Sequence, residues 1–389
     1  MFLDTVLARN PALLRAAAVL HRRGRIPPDT YVLDLDAVDA NAALLAAAAH
    51  RHGLSLWFVV KQLGRNPEAI RAIARHIPRY AAIDAADARA VHAAAVGSRP
   101  GNLGHLVPVP VRALPELLAL RPTAVTVYDL ANARAVGRAA RRAGYTQDVL
   151  VRLESPPGTG HPGQEGGVPL TGLAEFAADA ERLPGVRIAG VTAFPCLRAD
   201  PATGQPAATP GLAHARAAVD LLAARGHRGL LLSAPGVTCA ATLPLLAAAG
   251  ATHGEPGHAL TGTTPLHATD PGQPETPAYV YVTEVAHTLP DGRPALFGGG
   301  FYARSRVASA LLPRSGVRLP VAGAAAGHID YHRPLAVPAP PGTARTGDTA
   351  LLAFRTQMFV TRSTVAVLAG LSTGRGRLTG LYDARGRPL

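Results

Sequence analysis

Short apolar runs alternate with alanine-rich segments of helical character through most of the first 268 residues. The apolar runs lie at 31–35, 54–61, 80–83, 105–109, 125–128, 149–153, 188–194 and 229–232, and a last short one ends at Thr252. Strands that alternate with helices at this spacing form parallel sheets with right-handed crossovers. Roughly eight such units predict an α/β fold, a closed (β/α)8 barrel of the TIM type.

The character of the sequence changes near residue 268. Apolar segments punctuated by Pro and Gly replace the alanine-rich ones, at 279–285, 295–297, 319–321, 350–354 and 359–367. The segment 269–274 contains two prolines and a glycine and is a natural junction. We therefore predict an N-terminal helical segment over 1–29, a barrel over 30–268 and an all-β C-terminal domain over 269–389.

Composition disfavours several classes of protein. No stretch approaches the ~18 uninterrupted apolar residues that a membrane span needs. The first thirty residues break their apolar runs with Arg and Pro, unlike a signal peptide, so we expect a cytoplasmic protein with no membrane partner. The net charge is +13, but the arginines are scattered and aromatic residues are few, which disfavours nucleic acid as a partner. The excess charge favours anionic small molecules instead.

Lys61 is the only lysine among 39 basic residues. A desolvated lysine amine can lose its proton and attack a carbonyl, whereas arginine stays charged and is a poor nucleophile. The run Leu56 to Val60 is typical of a buried strand, so Lys61 should stand at a strand's carboxyl end, where barrels place their chemistry. This setting disfavours chance survival of a surface lysine. We predict that Lys61 is catalytic and forms a Schiff base.

Several segments of the predicted barrel resemble a known family. The run Val59 to Asn66 resembles the cofactor-lysine segment of fold-type III pyridoxal 5'-phosphate (PLP) enzymes, the alanine racemases and their relatives. The run Gly254 to Leu260, on the last predicted barrel strand, is similar to a second segment of these enzymes. Segments 162–167, 192–196 and 262–267 resemble the YhfX-like branch in particular. The resemblance implies PLP as the cofactor, with Lys61 and Arg65 in contact with it.

Glu255 departs from the racemase pattern. The racemases place an arginine here, facing the pyridine nitrogen of the cofactor. A carboxylate would stabilise the protonated ring and so deepen the electron sink for an α-carbanion. The amides of Gly257 and His258 are candidates to hold the cofactor phosphate. Further candidate cofactor ligands precede them on the neighbouring strand: Ser233, Gly236 and Thr238.

Other departures concern the cofactor ring and the second base. Where racemases have an arginine after the fifth strand this chain has Gln164, and where they stack a histidine on the cofactor it has Ala193 or Phe194. We expect Gln164 and Phe194 to contact the cofactor. The usual second-base tyrosine has no clean match. His287 and Tyr302 are the candidates, although a structural hydrogen-bonding role is an equal alternative for the histidine.

The predicted β domain also matches the racemases. Segments 319–323, 327–331 and 346–349, and the loop 300–305, resemble racemase segments that reach the active site of the other subunit. The resemblance implies a homodimer with shared active sites and a catalytic Asp330. His328, Asp330 and His332 also form a His-x-Asp-x-His pattern, of a kind that D-threonine-aldolase relatives use for a metal. The racemase match already accounts for these residues, so we predict no metal.

Taken together, these residues predict a PLP enzyme that cleaves a bond at the α-carbon of an amino acid or related amine. Lys61 on one face and His287 or Tyr302 on the other would move an α-proton, which makes a racemase or epimerase the first hypothesis. α-Decarboxylation and retro-aldol cleavage of the D-threonine-aldolase type are alternatives. A PLP carrier without turnover is an alternative from another class, which the full β domain disfavours.

Overall fold

A computed structural model of the chain describes residues 2–200, 203–325 and 327–389. The chain forms two compact units. The barrel unit contains Ala42–Val60 and Ile73–Ala259, and the β unit contains Met1–Asn41, Lys61–Ala72 and Leu260–Leu389.

The strands and helices alternate in the first two thirds of the chain, and strands dominate the rest. The strands are β1 Thr30–Asp34, β2 Ser55–Leu56, β3 Arg79–Ala82, β4 Arg99–Leu103, β5 Ala124–Val127, β6 Gln147–Arg152, β7 Val186–Thr192, β8 Leu197–Ala199, β9 Pro206–Ala208, β10 Leu231–Ser233, β11 His253–Gly254, β12 Tyr279–Thr288, β13 Pro294–Phe297, β14 Ser309–Leu312, β15 Val317–Pro320, β16 His332–Pro334, β17 Thr349–Leu352, β18 Thr364–Ala369 and β19 Arg377–Asp383.

The α-helices are α1 Phe2–Arg9, α2 Pro11–Arg22, α3 Leu35–Arg51, α4 Pro67–Ala74, α5 Ala85–Ala94, α6 Leu114–Ala119, α7 Leu130–Arg142, α8 Leu173–Glu181, α9 Pro210–Ala224, α10 Leu243–Ala248 and α11 Pro265–Thr269. Short 3-10 helices lie at Lys61–Leu63, Val111–Ala113, Leu170–Gly172, His258–Thr261 and Met358–Val360. Among the described residues, no helix is both long and apolar enough to cross a membrane.

Eight parallel strands form the barrel. Their spatial order is β2, β11, β10, β7, β6, β5, β4 and β3. The two outermost strands meet through one bridge, in which Phe58 N donates to the Arg79 carbonyl at 3.0 Å and Ala81 N donates to the Phe58 carbonyl at 2.9 Å. The barrel is therefore nearly closed, and the predicted architecture of a barrel with a C-terminal β domain is confirmed.

The barrel interior changes from apolar to polar along the strands. A buried apolar cluster consists of Trp57, Val59, Ala81, Ala124 and Leu150. Thr126 follows Ala124 by two residues on β5, and Arg152 follows Leu150 by two residues on β6. Both lie nearer the carboxyl ends of their strands, and both are buried. Because side chains alternate between the faces of a strand with a period of two, these residues face the same interior. Polar groups thus gather at the carboxyl ends of the strands.

A nine-stranded sheet forms the core of the β unit. Its main path has the order β15, β14, β17, β12, β1, β18, β19, and β13 and β16 extend from β12. Helices α1 and α2 contribute Leu3, Leu13 and Ala17 to the same buried cluster as Val280 and Val282 of β12. The predicted N-terminal helical segment is therefore part of the core of this unit.

The prediction that residues 31–35 form a barrel strand is wrong. β1 pairs antiparallel with β12 and parallel with β18, in the sheet of the β unit, and all five of its residues are buried. A short run that is buried on both faces carries no periodicity to indicate which sheet it joins. The compact barrel unit consists of Ala42–Val60 and Ile73–Ala259, and β1 lies outside it.

The strand predicted at 105–109 is also misplaced. The strand at this point is β4, Arg99–Leu103, whose sequence contains Pro and Gly and has little strand propensity. A Cβ at Gly101 would overlap the Trp57 indole. Glycine therefore makes room for a large buried ring inside the barrel, and this tertiary packing decides the strand. His105 consequently lies just beyond the strand end instead of within it.

Candidate active site

Lys61 follows the buried segment 57–60, which continues the chain beyond β2, the first strand of the barrel. Its predecessor Val60 is buried, and the amide of Val59 donates to the Pro256 carbonyl at 2.9 Å. This bond ties the strand end to the turn that follows Glu255. Lys61 then begins the 3-10 helix Lys61–Leu63 and is half-buried. The lysine therefore stands at the point where a barrel strand ends.

The turn after Lys61 is tightly anchored in the β unit. Gly64 and Arg65 both have left-handed backbones, with φ of 61° and 52°. A Cβ at Gly64 would lie 3.0 Å from the Ala384 carbonyl oxygen, so close packing favours glycine there. The Arg65 guanidinium lies 5.0 Å from the centre of the Phe359 ring. These contacts fix the segment that carries Lys61, while cofactor binding by Arg65 stays a prediction.

Three strand ends of the barrel unit meet at Glu255. Its side chain is buried, its Oε1 accepts a hydrogen bond from Ser233 Oγ at 2.8 Å, and its Oε2 lies 3.2 Å from His105 Nδ1. Ser233 ends β10, His105 follows β4 and Glu255 follows β11. The carboxyl group is therefore fixed in position at the carboxyl end of the barrel. A group held in this way can stabilise positive charge on a bound ligand.

Three further residues predicted to bind the cofactor lie at the end of β10 and in the segment after it, and they have other contacts. The Ser233 hydroxyl donates to Glu255, and Thr238 Oγ1 accepts from the Glu255 amide at 3.4 Å. A Cβ at Gly236 would lie 2.6 Å from the Leu197 carbonyl oxygen, so backbone packing alone requires glycine. Ser233 and Thr238 thus position Glu255. Cofactor contacts by Ser233, Gly236 and Thr238 stay a prediction.

Phe194 lies at the same end of the barrel. Its ring meets the His105 imidazole edge to face, with 5.6 Å between the ring centres. Its carbonyl accepts from Ser155 Oγ at 2.8 Å, which ties the end of β7 to the loop that follows β6. Gln164 lies further along that loop and is half-buried, and its Oε1 has no hydrogen-bond partner in the part of the chain that the structure describes. The His105 imidazole therefore contacts both the Phe194 ring and the Glu255 carboxyl group.

The remaining phosphate candidates lie in the turn after Glu255. Gly257 is buried, and His258 is half-buried and begins the 3-10 helix His258–Thr261. Amides at the start of a helical turn have no partner within the turn, which suits an anion. Phosphate binding by Gly257 and His258 stays a prediction.

Arg152 is a buried cation in the barrel unit. It is the last residue of β6 and is 1% exposed. Among the described residues its Nε and Nη1 have no hydrogen-bond partner, and its Nη2 donates to the Phe194 carbonyl at 3.4 Å. The rings of Tyr128 and Phe194 lie 5.9 Å and 6.0 Å from its guanidinium carbon. Burial lowers the pKa of Arg152 below its usual value, and the nearby Tyr128, Cys196 and Glu255 partly oppose that shift.

Asp330 orders the loop that leads to Tyr302 in the β unit. Its Oδ2 accepts from the amides of Gly299 at 2.8 Å and Phe301 at 3.0 Å. Tyr302 follows this loop and is 44% exposed. The Tyr302 carbonyl accepts from Thr356 Oγ1 at 2.8 Å, so its backbone is fixed while its ring is accessible. The structure thus connects two of the predicted catalytic residues, Asp330 and Tyr302.

His287 lies near the exposed end of β12. Its ring centre is 5.1 Å from that of His332, and the two rings are nearly perpendicular. Within the described part of the chain, the structure gathers no group of three His, Cys, Asp or Glu side chains that could hold a metal ion. His332 of the His-x-Asp-x-His pattern thus contacts His287, whereas Asp330 binds backbone amides.

Sequence reasoning missed His105 and Arg152. Arg152 ends the apolar run of β6, two residues after the inward-facing Leu150, so the period of two could have placed it inside the barrel. His105 could not be found in this way because its strand was misplaced. Its neighbours Glu255 and Phe194 follow other strands, which only the folded barrel brings together.

Comparison with known proteins identifies the family to which the chain belongs. The family model described as alanine racemase, N-terminal domain, matches residues 33–265, and the model described as YhfX-like, C-terminal domain, matches residues 280–378. The chain belongs to the alanine racemase-like family. It is 37% identical over 394 residues to the protein YhfX of Escherichia coli (strain K12), and the match covers 100% of both chains. The resemblance to the YhfX-like branch of the family is thus confirmed.

Solved structures share the fold of this family member. D-Threonine aldolase from Filomicrobium marinum aligns with a TM-score of 0.68 and 17% identity, over 92% of this chain and 95% of the aldolase. Alanine racemase from Corynebacterium glutamicum aligns with a TM-score of 0.61 and 16% identity, over 84% of this chain and 90% of the racemase. At such identities the likeness shows the fold alone.

Proposed function

We propose that this family member is a PLP-dependent enzyme that moves the α-proton of an amino acid, as a racemase or epimerase. The observation that carries the proposal is Lys61, the only lysine of the chain, which follows the buried segment 57–60 beyond β2. The family implies dependence on PLP. The fixed carboxyl group of Glu255, which follows β11, supports chemistry that withdraws electrons from a substrate.

The residues of the barrel unit suit the charges of PLP. The carboxyl group of Glu255 suits a protonated ring nitrogen, and the backbone amides of Gly257 and His258 suit a phosphate. Buried donors without a partner at Arg152 Nε and Nη1 suit an anionic group of a ligand. When bound, PLP supplies an electron sink that delocalises negative charge from the substrate's α-carbon.

The candidate active-site residues would then have the following roles. Lys61 would hold the cofactor through its amine, and the same amine would take or return the α-proton of the substrate. Ser233 and His105 keep Glu255 in place, so that its charge needs no reorganisation during reaction. The second acid or base is Tyr302 or His287. Of the two, Tyr302 has the better-ordered loop, which Asp330 fixes through two amides.

Proton exchange in heavy water tests the proposal. With PLP and a panel of D- and L-amino acids, we expect at least one substrate to gain deuterium at its α-carbon and to lose optical purity. Loss of carbon dioxide would indicate a decarboxylase instead, and release of glycine from a β-hydroxy amino acid would indicate an aldolase. Bound PLP without exchange on any substrate would contradict the proposal and leave a carrier.

We also propose a homodimer in which the β unit of one subunit completes the active site of the other. The loops 297–302 and 328–332, joined by the hydrogen bonds of Asp330, carry unusually exposed apolar side chains. Phe297 is 41%, Ile329 65% and Tyr331 67% exposed. Exposed apolar groups on neighbouring loops are typical of an interaction surface, and Tyr302 lies among them.

Mixing inactive variants tests the shared site. Lys61→Ala and Tyr302→Phe chains, unfolded together and refolded as a mixture, should regain up to about a quarter of the parental exchange rate, because half of the dimers are mixed and each has one intact site. Each variant refolded alone is the control. If mixing restores nothing, or if the protein is a monomer in sedimentation experiments, each chain is self-sufficient and the proposed dimer is wrong.

A further inference from the structure

A cavity of about 370 Å³ lies in the barrel unit at the end opposite to Glu255. Two of the residues that line it, Arg79 and His253, are the first residues of β3 and β11. Glu255, in contrast, follows β11. The cavity therefore lies at the amino ends of the barrel strands, and its volume is within the range of pockets that hold small molecules.

The cavity follows from incomplete closure of the barrel between β2 and β3. β2 is only two residues long, and it pairs with β11. On its other side, the chain first pairs with β3 at Phe58, two residues beyond the end of β2, in a single bridge. Because nothing joins the two strands before this point, the barrel opens at its amino end. Two small side chains of α3, Ala46 and Ala49, line the opening.

Positive charge predominates in the walls of the cavity. Among the described residues, the titratable side chains that line it are three histidines and one arginine, with no aspartate or glutamate: His50, His76, Arg79 and His253. Arg79 donates to Thr123 Oγ1 at 2.8 Å and forms no ion pair with any residue that the structure describes. Burial and the positive charge of Arg79 lower the pKa of His253 to about 4. An anion in the cavity would offset the charge of Arg79.

Much of the remaining wall is apolar. Trp57 lines the cavity, and its indole packs on the His253 imidazole with 4.2 Å between the ring centres. Leu56 and Ile77 add aliphatic surface. A ligand that fills this space therefore needs an apolar group as well as a negative charge.

We propose that the cavity is a binding site for an organic carboxylate whose apolar body is the size of one aromatic ring. The Arg79 guanidinium binds the carboxylate, since its planar geometry suits two parallel hydrogen bonds. The wall around Trp57 covers the ring. Because the cavity lies at the amino ends of the strands, its ligand is a molecule other than the substrate, and it leaves the surroundings of Glu255 open.

The fluorescence of Trp57 tests the site directly, because this residue is the only tryptophan of the chain. Phenylacetate, titrated into the purified full chain, should change the tryptophan fluorescence saturably and raise the Tm. Phenylacetamide keeps the ring without the charge, whereas acetate and inorganic phosphate keep a charge without the ring. Each of these should bind at least about 10-fold more weakly than phenylacetate.

Two substitutions locate the ligand. Arg79→Gln should weaken phenylacetate binding by about 10-fold, because it removes a charge-assisted hydrogen bond from an exposed side chain. Arg99→Gln is the matched control, since Arg99 is exposed, is the register partner of Arg79 on β4 and does not line the cavity. It should bind like the parent. Ala46→Phe fills the cavity without changing its charge and should also weaken binding.

Three results would overturn the proposal. Equal affinity for phosphate and phenylacetate would indicate a site for any anion. A response to phenylacetate that persists in both Arg79→Gln and Ala46→Phe would place the ligand elsewhere. The absence of any saturable change at Trp57 would show that the cavity binds no such carboxylate. If Ala46→Phe does not fold, Arg79→Gln and its control decide alone. Neither readout requires PLP or turnover, so the outcome is independent of the proposed function.

Discussion

Replacement of Lys61 by arginine should abolish fixation of the cofactor and reduce α-proton exchange by more than about 10³-fold, because one residue supplies both the attachment and the base. Arginine keeps the charge and approximate length of the side chain but cannot act as a nucleophile at accessible pH. The parent protein with PLP should be yellow. After borohydride reduction, its pyridoxyl label should map to the peptide that contains Lys61.

The single lysine allows an unusually clean control. Arg71 is exposed on α4, so Arg71→Lys adds a solvent-accessible lysine without disturbing a buried contact. In Arg71→Lys the label should stay on Lys61, and in the double variant Lys61→Arg, Arg71→Lys no lysine should be labelled. A label on the new lysine would show that reduction traps any accessible amine. An unlabelled parent that binds PLP would end the proposed function.

Substitution of Glu255 by glutamine should lower the rate of α-proton exchange by about 10²- to 10³-fold, the range seen when one preorganised electrostatic contact is removed. Glutamine fits the same space and can still bond with Ser233 and His105, so the barrel should remain folded. It cannot carry the negative charge that a protonated ring nitrogen needs, and the electron sink weakens. Deuterium exchange at saturating substrate measures the effect on the chemical step.

The matched control for this substitution is Glu175→Gln. Glu175 is exposed on α8, and its loss removes the same charge from the protein without altering the barrel interior. Its exchange rate should equal that of the parent. Because Glu255→Gln should retain bound PLP, its absorbance separates loss of chemistry from loss of cofactor. An unchanged exchange rate in Glu255→Gln would show that the carboxyl group does not face the ring.

Much of the barrel could be predicted from the sequence because its signals are local. Apolar runs alternating with alanine-rich helices indicate parallel strands with crossovers. Near residue 268 apolar segments punctuated by Pro and Gly replace the alanine-rich ones, which indicates the β domain. Lys61 stands out by composition alone, and Glu255 by the resemblance of its segment to the racemases. These features require no knowledge of which strands are neighbours.

The sheet that β1 joins and the surroundings of Glu255 are decided by tertiary structure. β1 is buried on both faces, so its own sequence suits either sheet, and only its pairing with β12 and β18 places it in the β unit. His105 follows β4, and its Nδ1 lies 3.2 Å from Oε2 of Glu255, which follows β11. The sequence by itself determined the fold class and the residues that can perform chemistry, since period and composition are local properties. The folded chain decided which of them act together, because closure of the barrel brings strand ends far apart in sequence to one place.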